Sequence, residues 1–253
     1  MKLFFKKFGI GSPLIILHGL FGSYDNWQGM AKKFADNFEI YLIDLRNHGQ
    51  SPHSDIHDYN AMSQDLYEFF IENNLNKAII LGHSMGGKVA MKFAFEYPDM
   101  VEKLIVVDIA PKEYRTGNKY ILEFLLDIDL KNINSREKAD EILANKINNK
   151  AVRQFILKNL IRNEDMSFSW KLNLKSLNEN LHAMGGNFNG DNNFNKKTLF
   201  IRGENSNYIR ENDFTLIKKI FTDSEIKTVK NAGHWVHTEN PEKTYEYLRD
   251  FLL

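Results

Sequence analysis

The chain has 253 residues, no cysteine, and 33 basic residues balanced by 33 acidic ones. That length suits one large α/β domain with room for an inserted subdomain, and 43% apolar content can supply its core. Balanced charge leaves no footprint for nucleic acid or an anionic membrane, and the lack of cysteine excludes disulfides, thiolate metal sites and a cysteine nucleophile.

Residues 2–8 read as an edge strand, and their apolar stretch is too short and too interrupted by lysine for a signal peptide. No run approaches the roughly 18 apolar residues of a membrane helix, so a soluble cytoplasmic protein without a membrane span is expected. Leu14-Ile15-Ile16-Leu17 is continuously apolar, as a strand buried on both faces of a parallel sheet should be, and it ends in His18-Gly19-Leu20-Phe21-Gly22. A helix over residues 24–36, a strand over 39–44, the loop Arg46-Asn47-His48-Gly49 and a helix over 59–72 follow. Ala78-Ile79-Ile80-Leu81 then runs into Gly82-His83-Ser84-Met85-Gly86-Gly87 and a helical stretch, and residues 103–108 form another buried strand ending in Asp108. Strands alternating with helices imply right-handed crossovers and a mostly parallel sheet with helices on both faces.

Composition shifts over 112–196, which lacks β-type runs and is rich in Asn, Lys and Leu. Helical spacing shows in Val152, Phe155, Ile156 and Leu160, and again in Leu174, Leu177, Leu181 and Met184. The segment ends in a Gly/Asn-rich linker over 185–193. It reads as a helical cap inserted between core segments 1–111 and 197–253. The α/β pattern resumes with strands over 198–202 and 225–229, a helix between them, the sequence Gly233-His234-Trp235-Val236-His237, and a terminal helix from Pro241.

Gly82-x-Ser84-x-Gly86 between a strand and a helix is the nucleophile-elbow pattern: the serine occupies a strained turn that only small neighbours permit. A serine hydroxyl needs a base, and the base needs a carboxylate to hold its tautomer. His234, late in the chain after the last strand, suits the base better than His237. His53 and His57 lack an obvious third partner, so no metal is expected, and no cofactor-binding glycine loop is present. The Arg46–Gly49 loop is expected to shape the pocket wall, and His18 and His83, beside the Gly19–Gly22 loop and Ser84, are expected to hydrogen-bond the turns there.

Taken in order, the motifs at 18–22, 44–51, 82–87 and 233–235 resemble the α/β-hydrolase superfamily. Arg46-Asn47-His48-Gly49, Val107-Asp108-Ile109-Ala110-Pro111 and Gly233-His234-Trp235-Val236-His237 are most similar to small YbfF-type esterases and their ABHD11-like relatives. The resemblance implies a backbone oxyanion hole from Met85 and Leu20, with Phe21 the alternative. Where many members carry an aspartate, three residues after Gly203, this chain has Ser206. Asp108 is then the expected acid, with Glu204 and Asp213 as alternatives. The expectation is a serine hydrolase of short to medium carboxylic esters or thioesters, with Leu20, Phe21, Met85 and Trp235 lining an apolar pocket. The alternative is a non-hydrolytic enzyme of the same fold, a lyase or cofactor-free oxidative one, with His234 as base.

Overall fold

The computed structural model describes residues 1–114, 119–186, 188 and 192–253. Strands β1 (Phe5–Phe8), β2 (Ser12–Leu17) and β3 (Phe38–Ile43) open the chain, with helix α1 (Gln28–Ala31) between the last two. Helix α2 (Tyr59–Glu72), strand β4 (Ala78–His83), helix α3 (Met85–Glu96) and strand β5 (Val101–Val107) follow. Residues 112–196 contain helices α4 (Lys119–Asp127), α5 (Arg136–Ala144), α6 (Lys150–Leu157) and α7 (Leu174–Glu179), with strands β6 (Leu160–Arg162) and β7 (Phe168–Trp170) before α7. Strand β8 (Thr198–Gly203), helix α8 (Phe214–Ile220), strand β9 (Ser224–Val229) and helices α9 (Val236–Glu239) and α10 (Pro241–Leu252) complete it.

The main sheet has the order β1-β3-β2-β4-β5-β8-β9, and every pairing except antiparallel β1·β3 is parallel. Alternate residues of one strand feed opposite cores. Ile15, Leu17, Tyr41, Ile43 and Ile80 pack with α2 and α3, while Leu14, Ile16, Ile40, Leu42 and Leu81 pack with Trp27, Phe34 and Leu248. Consecutive connections leave in opposite directions between β2 and β4. The crevice at the carboxyl ends of these strands is where open α/β sheets bind ligands.

Two expectations need correction. The helix over 24–36 is broken into a 3-10 turn (Tyr24–Asn26), α1 and a second 3-10 turn (Lys32–Phe34). At its start Asp44 takes the Tyr24 N–H at 2.6 Å and Asn26 Oδ1 takes the Ser23 N–H at 2.7 Å, donors that a helix beginning here leaves without a partner of its own. The segment over 112–196 is not wholly helical, because Leu160 lies on β6, which pairs antiparallel with β7. Asn159 ends the helical run before it, with its amide donating to the carbonyls of Phe21 and Ile156. This segment has a core of its own, built from residues such as Leu122, Leu125, Leu143, Ile156 and Leu177, and Phe21 of the β2–β3 connection inserts into it. Of the linker over 185–193, Asn187, Asn189, Gly190 and Asp191 lie outside the described residues.

Candidate active site

Ser84 links the end of β4 to α3 with φ 53° and ψ −117°. The turn is possible because its neighbours are bare. A Cβ on Gly82 would lie 2.2 Å from the Gly86 carbonyl oxygen, and one on Gly86 would lie 2.5 Å from those of Leu17 and His18. The Ser84 N–H donates to Val107 O at 2.9 Å and the Gly86 N–H to His18 O at 3.1 Å, tying the elbow to β5 and to the end of β2.

His234 reaches the elbow from the loop between β9 and α9. Its Nε2 lies 3.0 Å from Ser84 Oγ, and its Nδ1 lies 2.7 Å from Asp108 Oδ2. Because the carboxylate can only accept, the proton sits on Nδ1 and leaves Nε2 to accept from the serine hydroxyl. Glu239 braces the loop on both sides of His234, its two oxygens accepting the N–H of Gly233 at 2.7 Å and of Trp235 at 3.1 Å. Behind it, His83 donates from Nε2 to His234 O at 2.9 Å. Burial first, then the neighbouring histidines, holds the His83 pKa well below its ordinary value, so this ring stays neutral.

Asp108 follows β5 with φ 49° and is fully buried. Oδ1 accepts the Gly203 N–H at 3.1 Å, while Oδ2 accepts the Ser206 hydroxyl together with His234. The Ser206 oxygen in turn accepts the Tyr208 N–H at 3.2 Å, and the Tyr208 ring stacks on His234 with centroids 3.9 Å apart. The alternative acids are engaged elsewhere. Glu204 accepts the Asn231 N–H at 2.9 Å, and Asp213 pairs with Lys112 at 2.6 Å.

The N–H groups of Leu20, Phe21 and Met85 have no hydrogen-bond acceptor among the described residues. The loop carrying Leu20 and Phe21 is fixed by His18, which donates from Nδ1 to Gly19 O at 2.8 Å and accepts the Leu45 N–H at Nε2 at 3.0 Å. Ser84 and His234 open into a cavity of about 280 Å³. Its walls include Leu20, Phe21 and Trp235, together with Ile121 of α4 and Val152 and Phe155 of α6. The Met85 side chain, expected on that wall, is instead buried beneath α3 in the core between sheet and helix. The Arg46–Gly49 loop is also absent from the wall. It seats the segment over 112–196, with the Asn173 N–H and side-chain amide donating to the Asn47 backbone and side-chain oxygens, both at 3.1 Å.

His237, the rival base, is buried on α9 and stacks on Trp27 at 4.1 Å. Among the described residues no group of three side chains is arranged to hold a metal ion. Sequence reading missed Glu239 and Tyr208, and a cap expected over the active site did not say which of its helices, α4 and α6, line the cavity. The spacing of Val152, Phe155 and Ile156 marked an apolar helix face without saying that it borders a cavity.

Residues 12–139 match the family model described as the α/β hydrolase fold. The sn-1-specific diacylglycerol lipase ABHD11 of Mus musculus is 37% identical over 248 residues, covering 94% of this chain and 80% of that one. This chain belongs to the α/β-hydrolase family. Within it, Esterase YbfF of Escherichia coli is 32% identical over 243 residues, covering 95% of this hydrolase and 93% of YbfF. A solved marine microorganism esterase is 43% identical and superposes with a TM-score of 0.96 over 99% of both chains. No helix among the described residues of this α/β hydrolase is long and apolar enough to cross a membrane.

Proposed function

We propose that this α/β hydrolase is a cytoplasmic enzyme that cleaves carboxylic esters of short to medium acyl chains through an acyl-enzyme on Ser84. The observation that carries the reading is the relay from Ser84 Oγ to His234 Nε2 at 3.0 Å and from His234 Nδ1 to Asp108 Oδ2 at 2.7 Å, opening into a largely apolar cavity. His234 takes the serine proton as Ser84 attacks the acyl carbon, and Asp108 stabilises the resulting imidazolium. The free amides of Met85 and Leu20, or Phe21 beside it, receive the oxyanion; each such donor is typically worth about 2.7–4 kcal/mol. His234 then protonates the leaving alcohol and activates the water that releases the acid. A thioester gives the same acyl-enzyme and falls within the proposal. A cavity of about 280 Å³ sits near the lower end of the roughly 300–1,000 Å³ usual for small-molecule sites, which favours modest acyl chains. Residues 112–196 act as the cap that supplies the far wall.

The test is a pre-steady-state burst assay with a series of p-nitrophenyl esters from acetate to dodecanoate. A burst equal to the enzyme concentration is expected in the native chain. Ser84→Ala should abolish it and lower kcat about a million-fold. Turnover persisting in Ser84→Ala would sink the acyl-enzyme and transfer the chemistry to proton abstraction by His234.

A further inference from the structure

Lys88 lies one helical turn beyond Ser84 on α3 and is 1% exposed. Among the described residues no carboxylate pairs with its ammonium. It donates to the carbonyl oxygens of Lys112 at 2.5 Å and Gly186 at 2.6 Å, with the Phe188 ring 4.6 Å and the Tyr114 ring 5.2 Å away. Burial first, then the Lys112 charge, draws its pKa down to about 7. A methionine would fill similar space without desolvating a charge, so the ammonium must be judged by what it holds.

Lys112 and Gly186 belong to opposite crossings of one insertion. Lys112 begins the chain's departure after β5, and Gly186 lies on its return toward β8. The crossings also bind each other, through the Tyr114 N–H to Gly185 O at 2.9 Å, and Tyr59 donates its hydroxyl to Met184 O at 3.0 Å. The fit is close, since a Cβ on Gly186 would come within 2.6 Å of Tyr59 Cε2. Ile121, Val152 and Phe155 stand on the insertion, whereas Ser84 and His234 stand on the core. The separation between acyl wall and nucleophile therefore depends on how the crossings are seated.

We propose that Lys88 is a positioning residue that ties both crossings of the insertion to the helix carrying Ser84, and so sets how the apolar wall faces the nucleophile. Its substrate readout rests on the esterase reading; its structural readout does not. Hydrogen bonds from one side chain to two segments far apart in sequence hold both to the same helix, and a side chain that cannot donate releases both.

The experiment compares the full-length chain with Lys88→Met and Lys88→Gln by hydrogen exchange and by steady-state kinetics on p-nitrophenyl acetate and octanoate. In Lys88→Met, amide exchange around 110–114 and 183–186 should quicken about tenfold, while β4 and β5 keep their protection. KM for octanoate should rise about tenfold, with a smaller fall in kcat and a smaller change for acetate. Lys88→Gln, which keeps N–H donors without the charge, should fall between, and it carries both readouts if Lys88→Met does not accumulate folded. Unchanged exchange at the crossings, or faster exchange throughout the chain with equal losses on both esters, would overturn the proposal. If the native chain hydrolyses neither ester, the esterase reading fails and the exchange comparison still decides the role of Lys88.

Discussion

The core and the insertion contribute to the same cavity by different physical means. On the core side, position is set by the backbone: Phe21, Ser84 and Asp108 all have positive φ, a conformation that costs non-glycine residues and persists only where surrounding structure imposes it. Among the described non-glycine residues of the insertion, only Met166, in the turn between β6 and β7, shares that conformation. There the wall is made by apolar side chains on helices with their own small core, seated through the Lys88 and Asn47 contacts. On the proposed function the core has to hold the reacting atoms, whereas the insertion only needs to supply a surface. Substitutions on the two sides should therefore fail differently, the first in kcat and the second in chain-length preference.

The largest expected effect falls on the core. Asp108→Asn should keep the fold but lower kcat about 10⁴-fold, because an amide that donates to Nδ1 selects the wrong imidazole tautomer. Intact near-ultraviolet circular dichroism beside full activity would remove Asp108 from the relay.

Acid sets the two regions against each other next. His57 supports the loop that seats the insertion, receiving the Asn47 side-chain N–H at 3.3 Å, and His237 lies beneath the cavity on Trp27. Burial first holds both pKa values down to about 3; the second contribution is the Arg46 charge for His57 and the His234 charge for His237. Because the folded values lie below the unfolded ones, the unfolded chain binds more protons between about pH 6.5 and pH 3. Stability is full above that window and falls as pH drops through it, by up to about 1.4 kcal/mol per pH unit for each group. Urea midpoints from pH 7 to 4 should decline steadily, and His57→Asn should flatten the slope. An unchanged slope would show that His57 is not held neutral.

Ser206→Ala gives a smaller effect. Asp108 loses one of its donors but keeps Gly203 and His234, so kcat should drop about tenfold, the worth of one hydrogen bond to a charged group. No loss would make the hydroxyl a bystander beside the carboxylate.

How far each region could be read from sequence follows the same division. The mostly parallel sheet was legible from the alternation of strands and helices, Ser84 from the glycines at fixed spacing around it and His234 from its place after the last strand, whereas Asp108 was expected through the resemblance and the serine at the usual acid position. Ser206 was legible as a departure at the usual acid position, but its bond to the relocated carboxylate depends on β5 and β8 being neighbours. Lys88 carried no signal, since its acceptors are main-chain carbonyls that any residue would offer. The Arg46–Gly49 loop was misplaced on the wall because a polar loop after a strand does not reveal which partner it faces.

Phe155 provides the finest test of the division. Its ring stands 5.5 Å from that of Trp235, so one side of the contact belongs to the insertion and the other to the loop that holds His234. Phe155→Ala widens the wall without touching the hydrogen bonds that run from Ser84 to Asp108. On the esterase proposal a half-buried cavity-lining ring would share only part of its surface with the acyl chain, so the loss for octanoate should be roughly 1–2 kcal/mol, about five- to thirtyfold in kcat/KM. Acetate does not reach that far and should lose less, so the ratio of the two esters, measured in one preparation, cancels any difference in the amount of active enzyme. An equal loss on both esters would mean that the ring acts on His234 through Trp235, and the boundary between a side that fixes chemistry and a side that fits the acyl chain would have to be drawn behind Phe155.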